Sequence, residues 1–258
     1  LITSSGSSVS LHSTMDDLIL LSVFIFAAGL LYSSVGHAGA SGYLAAMALF
    51  EVAPSDMKPV ALTLNVLVAT IASVQFYRSG FFSWRVFSPF ALGSIPFAFI
   101  GGAVQLPGQA YKQVAGLVLL FASYRLFRSG NPASGNSVEP VPALLAILFG
   151  AGIGLLSGAI GVGGGIFLSP LLLFMGWSGT KQTAGVSAAF ILVNSLAGLA
   201  GHAVSIRYLP SDYYFLAFAA ACGGITGSYL GTRRFESETL YRLLAVVLVI
   251  AGLKLTLM

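Results

Sequence analysis

Cut at its charges and prolines, the chain divides into ten apolar runs separated by short polar stretches. They fall near residues 18–34, 41–50, 60–77, 86–104 and 110–127, then 143–160, 166–176, 184–201, 213–231 and 240–257. A membrane-spanning strand alternates apolar and polar residues over ~10-residue segments, so these unbroken runs predict helices and not a β-barrel. At about 1.5 Å per residue, a run of ~18 residues crosses a hydrocarbon core of roughly 30 Å. The runs at 41–50 and 166–176 are too short to cross alone and are expected to be half-helices.

Both short runs sit in glycine-broken sequence: GHAGASGYL over Gly36–Leu44 and GAIGVGGGIFLSP over Gly158–Pro170. A glycine inside a helix costs roughly 1 kcal/mol against alanine, so the clusters do not serve helix stability. Irregular backbone facing lipid is costlier still, because its N–H and C=O groups find no partner. Such a break at membrane depth is expected to line a cavity or touch a ligand. Close helix packing explains glycines four apart, but not three in a row at Gly163, Gly164 and Gly165.

The order of long and short runs repeats. At an offset of 125, Gly29, Leu30, Leu31, Gly36 and Gly39 fall on Gly154, Leu155, Leu156, Gly161 and Gly164. At an offset of 130, Gly93, Ile95, Gly101, Tyr111 and Ala115 fall on Gly223, Ile225, Gly231, Tyr241 and Ala245. The expected organisation is a first repeat over 15–127, a Gly/Pro/Ser/Asn-rich linker over 128–142 and a second repeat over 143–258. If each half crosses an odd number of times, eight of the twelve basic residues fall on the linker's side: Arg78, Arg85, Arg125, Arg128, Lys181, Arg233, Arg234 and Arg242. Lys58, Lys112, Arg207 and Lys254 fall on the other. An even number of crossings splits them equally, so the positive-inside rule favours inverted repeats, a cytoplasmic linker and both termini outside. Each repeat is then a glycine-broken helical hairpin plus three transmembrane helices.

Composition agrees. Hydrophobic residues make up 57% and charged residues 8% of the 258, against about a quarter charged in soluble domains. The class is an all-α polytopic membrane protein, and the expected location is the cell's inner (plasma) membrane. One cysteine, Cys222, leaves no internal disulfide and no cysteine-based metal cluster. The net charge of +4 fits cytoplasmic loops, and no basic run with aromatic platforms points to nucleic acid. Residues 1–14 are Ser-rich, lack the basic start of a signal peptide, and are expected to be an N-terminal tail or an expression remnant ahead of Met15.

The stretch LLSGAIGVGGGIFLSPLLL, followed by TAGVSAAFILVNSLAGLAGH, resembles the TauE/SafE family of sulfite and organosulfonate exporters, and GHAGASGYLAA in the first half strengthens the likeness. The resemblance runs from about Met15 to the end. It implies a secondary transporter of small sulfur-containing anions such as sulfite, sulfoacetate or other sulfonates. The expected partners are that anion, the bilayer and a coupling ion, proton or sodium, with no cofactor and no metal. A homo-oligomer is compatible with the sequence.

An anion carrier must replace its substrate's hydration, and a helix N-terminus does so with free N–H groups and about half a positive charge. Half-helices starting near Ser41 and Ile166 would each offer one, meeting near the midplane. Gly36, Gly39, Gly42, Gly161, Gly163, Gly164 and Gly165 would let an oxyanion approach the backbone. Thr63, Asn65, Ser187, Asn194 and Ser195 follow the half-helices and could hydrogen-bond it, with back-bonding to a helix carbonyl as the alternative for the hydroxyls. Thr63 and Ser187 occupy matching repeat positions and are expected to face one axis. Gln75, Arg78 and His202 are candidates for the entrance or for coupling. All eight acidic residues lie at run ends or in loops, so a mid-membrane carboxylate relay is unavailable. His37, at the first break, is then the titratable candidate for proton coupling or for added positive charge.

Two other classes compete. An anion channel could be lined by the same half-helices. GASG at Gly39–Gly42 resembles the G-x-S-G of rhomboid intramembrane proteases, with Ser41 as nucleophile and His202 as partner, but that reading explains neither the second glycine cluster nor the repeat.

Overall fold

A computed structural model describes residues 15–128, 140–203, 213–233 and 238–257. Residues 1–14 and most of the 128–142 linker therefore lie outside the described residues. Those described form ten α-helices: α1 (Met15–Ser33), α2 (Ala40–Leu49), α3 (Pro54–Arg78), α4 (Trp84–Ala103), α5 (Gly108–Arg128), α6 (Ala143–Ile160), α7 (Gly165–Phe174), α8 (Thr180–Ala203), α9 (Tyr213–Arg233) and α10 (Glu238–Leu257).

Each apolar run is a helix, and the largest differences are at two starts. α3 begins at Pro54 instead of near 60, and α8 at Thr180 instead of near 184. Their first turns carry Ser55, Asp56 and Lys58, or Lys181 and Gln182, which end an apolar run without ending a helix. Pro54 suits the first helical turn, where its missing N–H would have no intrahelical partner. Among the described residues six helices are long and apolar enough to cross a membrane: α1, α3, α4, α6, α8 and α9. α2 and α7 have ten residues each.

Two helix pairs interlock through glycine. Gly150, Gly154 and Gly158 of α6 lie against the carbonyls of Phe90, Ser94 and Ala98 of α4, so closely that a Cβ would strike backbone oxygen. Gly223, Gly227 and Gly231 of α9 lie in the same way against Phe26 and Leu30 of α1 and Ser34 just after it. Both are spacings of four along parallel helices, the small-residue packing of membrane helices. α5 packs on α10, with Gly116 over Gly252 and Thr256.

α3 and α8 run antiparallel through the middle, and their faces can be read level by level. Lys58 and His202 meet at Gly102 of α4. Next, Leu62 lies against Gly198, and Asn65 and Ser195 both approach Gly163. At the far end Ala72, Phe76, Ala184 and Ala188 form an apolar cluster. Polar residues thus occupy an intermediate level, with apolar contacts on either side.

Candidate functional site

The half-helices start where the glycines allow it. Gly39 precedes α2 with φ 102°, and Gly164 precedes α7 with φ 82°, both in the left-handed region that a side chain disfavours. Gly161 closes α6 in the same region, at φ 92°. The starts fall at Ala40 and Gly165, one residue ahead of the expected Ser41 and Ile166.

The two breaks meet through His37. Its Nε2 lies 3.0 Å from the carbonyl of Gly165 and 3.0 Å from Ser169 Oγ. Ser169 Oγ in turn lies 2.8 Å from Ser187 Oγ on α8. A chain of polar groups therefore ties the first break to the second half-helix and its neighbour. The other ring nitrogen of His37, Nδ1, is buried without a partner.

Beside this chain several buried side chains lack partners. Asn65 is fully buried, and neither its Oδ1 nor its Nδ2 is hydrogen-bonded. Ser195 Oγ, Ser157 Oγ and Asn194 Oδ1 are buried and unpaired as well, while Asn194 Nδ2 donates to Phe190 O at 2.8 Å. A Cβ on Gly163 would meet Asn65 Nδ2 at 2.7 Å and Ser195 Oγ at 3.1 Å. One on Gly165 would meet the His37 ring at 3.0 Å. The second glycine cluster, at the N-terminus of α7, is thus backbone faced by Asn65, Ser195 and His37 together with the apolar Ile191, Ile153 and Phe190.

A buried amide without partners costs on the order of 1–3 kcal/mol, so a group of such atoms marks a place built for something else to bond. The set offers donors, acceptors and free N–H groups. Among the described residues no three His, Cys, Asp or Glu side chains gather as a metal site would require.

The first cluster is packed differently. Gly36 lies on the backbone of Ala184, Gly39 on the Tyr43 ring, and Gly42 on Ala28 and Tyr32. Ser41 Oγ donates to Tyr32 Oη at 2.7 Å, and His202 bonds the backbone of Gly102. The Ser41–His202 pairing of the protease reading is therefore not made. Thr63 does not join Ser187 either: its Oγ1 donates to Pro59 O at 2.8 Å, one turn back in its own helix. Gln75 is half-buried, and Arg78 is exposed at the end of α3.

Two residues of this region were missed in the sequence. Ser169 looked like one hydroxyl in an apolar half-helix. Lys58 fell outside an apolar run, yet it is 5% exposed, and its ammonium donates to the carbonyls of Gly102 at 2.8 Å, Val104 at 3.1 Å and Gly101 at 3.4 Å. Gly161 lies against its backbone and stem. His37 is thus not alone among titratable side chains beside the breaks.

Comparison with known proteins gives the chain a family. The profile of the family described as Sulfite exporter TauE/SafE matches residues 21–255. A protein of Sinorhizobium fredii, described as probable membrane transporter protein y4hK, is 40% identical over 238 residues, covering 91% of this chain and 96% of the relative. No solved structure matches. With a match over nearly its whole length and six helices able to cross a membrane, the chain belongs to the sulfite exporter TauE/SafE family of multi-pass membrane transporters.

Proposed function

We propose that the protein is a secondary transporter of small sulfur-containing oxyanions, of the sulfonate, sulfoacetate or sulfite class, working by alternating access in the cell's inner membrane. The observation that carries this reading is the set of unpaired, fully buried polar groups on Asn65, Asn194 and Ser195 around the N-terminus of α7. The anion lies over Gly163–Gly165, taking hydrogen bonds from the free N–H groups there, from Asn65 Nδ2 and from Ser195 Oγ. Neutral donors suit a carrier: they replace hydration without the grip of a full buried charge.

The halves are inverted repeats, with the 128–142 linker cytoplasmic. In support, α2 and α7 have equal lengths, their glycine N-caps stand 125 residues apart, and the α1–α9 pairing has its counterpart in α6–α4. A carrier is favoured over a channel because polar groups at the intermediate level are fully buried between Leu62–Gly198 and the Phe76 cluster.

A thermal-shift screen of the purified protein against sulfite, sulfate, sulfoacetate, taurine and simple carboxylates tests the reading, since a ligand of the folded state raises its melting temperature. Stabilisation by a sulfur oxyanion is expected. Stabilisation by carboxylates alone would overturn the substrate class, and flux without saturable counterflow would turn the carrier into a channel.

A further inference from the structure

Lys58, 5% exposed, is the one buried charged residue among the side chains described. Its three hydrogen bonds go to backbone carbonyls of the last turn of α4 and the residue after it, none to a carboxylate. Those carbonyls carry the partial negative charge of a helix C-terminus, about half an elementary charge, and leave a full ammonium only partly balanced. A charge buried in a membrane helix without a counter-ion points to a pathway for ions.

Lys58 is also aligned with the polar site. From Asn65 it is seven residues back along α3, two turns or about 10.5 Å on the same face. On α8, His202 lies seven residues beyond Ser195, again two turns on one face. Asn65 and Ser195 meet at Gly163, and Lys58 and His202 meet at Gly102. His202 keeps a buried, unpaired Nδ1. Between the two levels, Leu62 is fully buried, and a Cβ on Gly198 would lie 3.5 Å from its side chain.

We infer that Lys58 and His202 form a second anion station, two helical turns from the Gly163 site, for the same class of small oxyanion. The inference rests on the anion reading of the Gly163 site. When the anion passes Leu62, the ammonium exchanges carbonyls for anion oxygens, and His202 supplies a further hydrogen bond. The carbonyls of Gly101, Gly102 and Val104 hold the ammonium when no anion is there, so the charge has a partner at each stage. The second break lies beside this station, because a Cβ on Gly161 would meet the backbone oxygen of Lys58 at 3.2 Å and its Cα and Cγ at 3.4 Å.

The test needs no knowledge of the transported species. In a Cys222→Ala background, His202→Cys is reacted in proteoliposomes with two methanethiosulfonates, one bearing a sulfonate and one a trimethylammonium group. The sulfonate reagent should react at least tenfold faster. Adding Lys58→Gln should cut that preference at least fivefold, and Lys58→Arg should keep it within twofold. A preference untouched by Lys58→Gln, with only a lower melting temperature, would make Lys58 a structural cap and overturn the inference. Failure of the sulfonate reagent to modify the cysteine would overturn it too, by removing the path. Failure of the Gly163 reading shows separately, as anion stabilisation that survives Asn65→Leu.

Discussion

Asn65 and Ser195, on different helices, approach the same point of the backbone: a Cβ on Gly163 would meet the amide nitrogen of one at 2.7 Å and the hydroxyl of the other at 3.1 Å. Gly163→Ala should therefore displace both side chains while leaving the neighbouring helices in place. Left-handed φ at this residue, 79°, adds strain to the substituted form. Sulfite-dependent stabilisation is expected to weaken at least tenfold in apparent affinity, with circular dichroism and monodispersity unchanged. Undiminished affinity in the folded variant would move the site away from Gly163. Valine at Gly39 or Gly164 is a harsher probe, since its Cβ would press on the Tyr43 ring or on Ile153 and Phe190.

Asn65→Leu separates stability from binding. Replacing a buried amide that bonds nothing with an apolar side chain of similar size removes a cost of about 1–3 kcal/mol. The variant should melt at a higher temperature than the parent and lose its response to sulfite. Lower stability together with retained binding would mean that the amide serves the fold.

His37→Gln tests proton coupling. Protonated His37 would add a positive charge beside the α7 N-terminus and tighten anion binding, so flux should depend on pH. Gln keeps hydrogen bonding towards Gly165 and Ser169 but cannot titrate. The variant is expected to lose that pH dependence. A profile identical to wild type would leave sodium coupling, antiport or uniport.

Reporters fused within residues 128–142 and after Met258 should report opposite compartments, the first cytoplasmic. The same compartment for both would defeat the inverted arrangement.

All ten helices were legible because each unbroken apolar run forms one helix, and run length marked α2 and α7 as the short ones. Three glycines in a row likewise announced the second break, and the spaced glycines of GHAGASG beside a short apolar run announced the first. The division of labour between the breaks was not legible: Gly39, Gly42 and Ser41 face Tyr43, Tyr32 and Ala28, whereas Gly163 and Gly165 face Asn65, Ser195 and His37 beside Ile191. That depends on which helices pack alongside, which spacing along the chain does not carry. Thr63 and Ser187 match in repeat position and differ in partner for the same reason. Lys58 was hidden by a rule that reads charge as a helix boundary. The glycines at intervals of four in α6 and α9 did carry a signal, one that identifies interlocked helices before any coordinates.

The two breaks share a backbone but not a neighbour: Gly161 rests on Lys58, and Gly36 rests on Ala184. If the halves exchange conformations during transport, the two open forms are not mirror images, because a lysine stands beside one break and an alanine beside the other. Half-saturating concentrations on the two faces of the membrane should then be unequal, with tighter capture on the Lys58 face. Detailed balance requires the return rates to compensate. The asymmetry would therefore set how fast each side fills, and leave the equilibrium between the two sides unchanged.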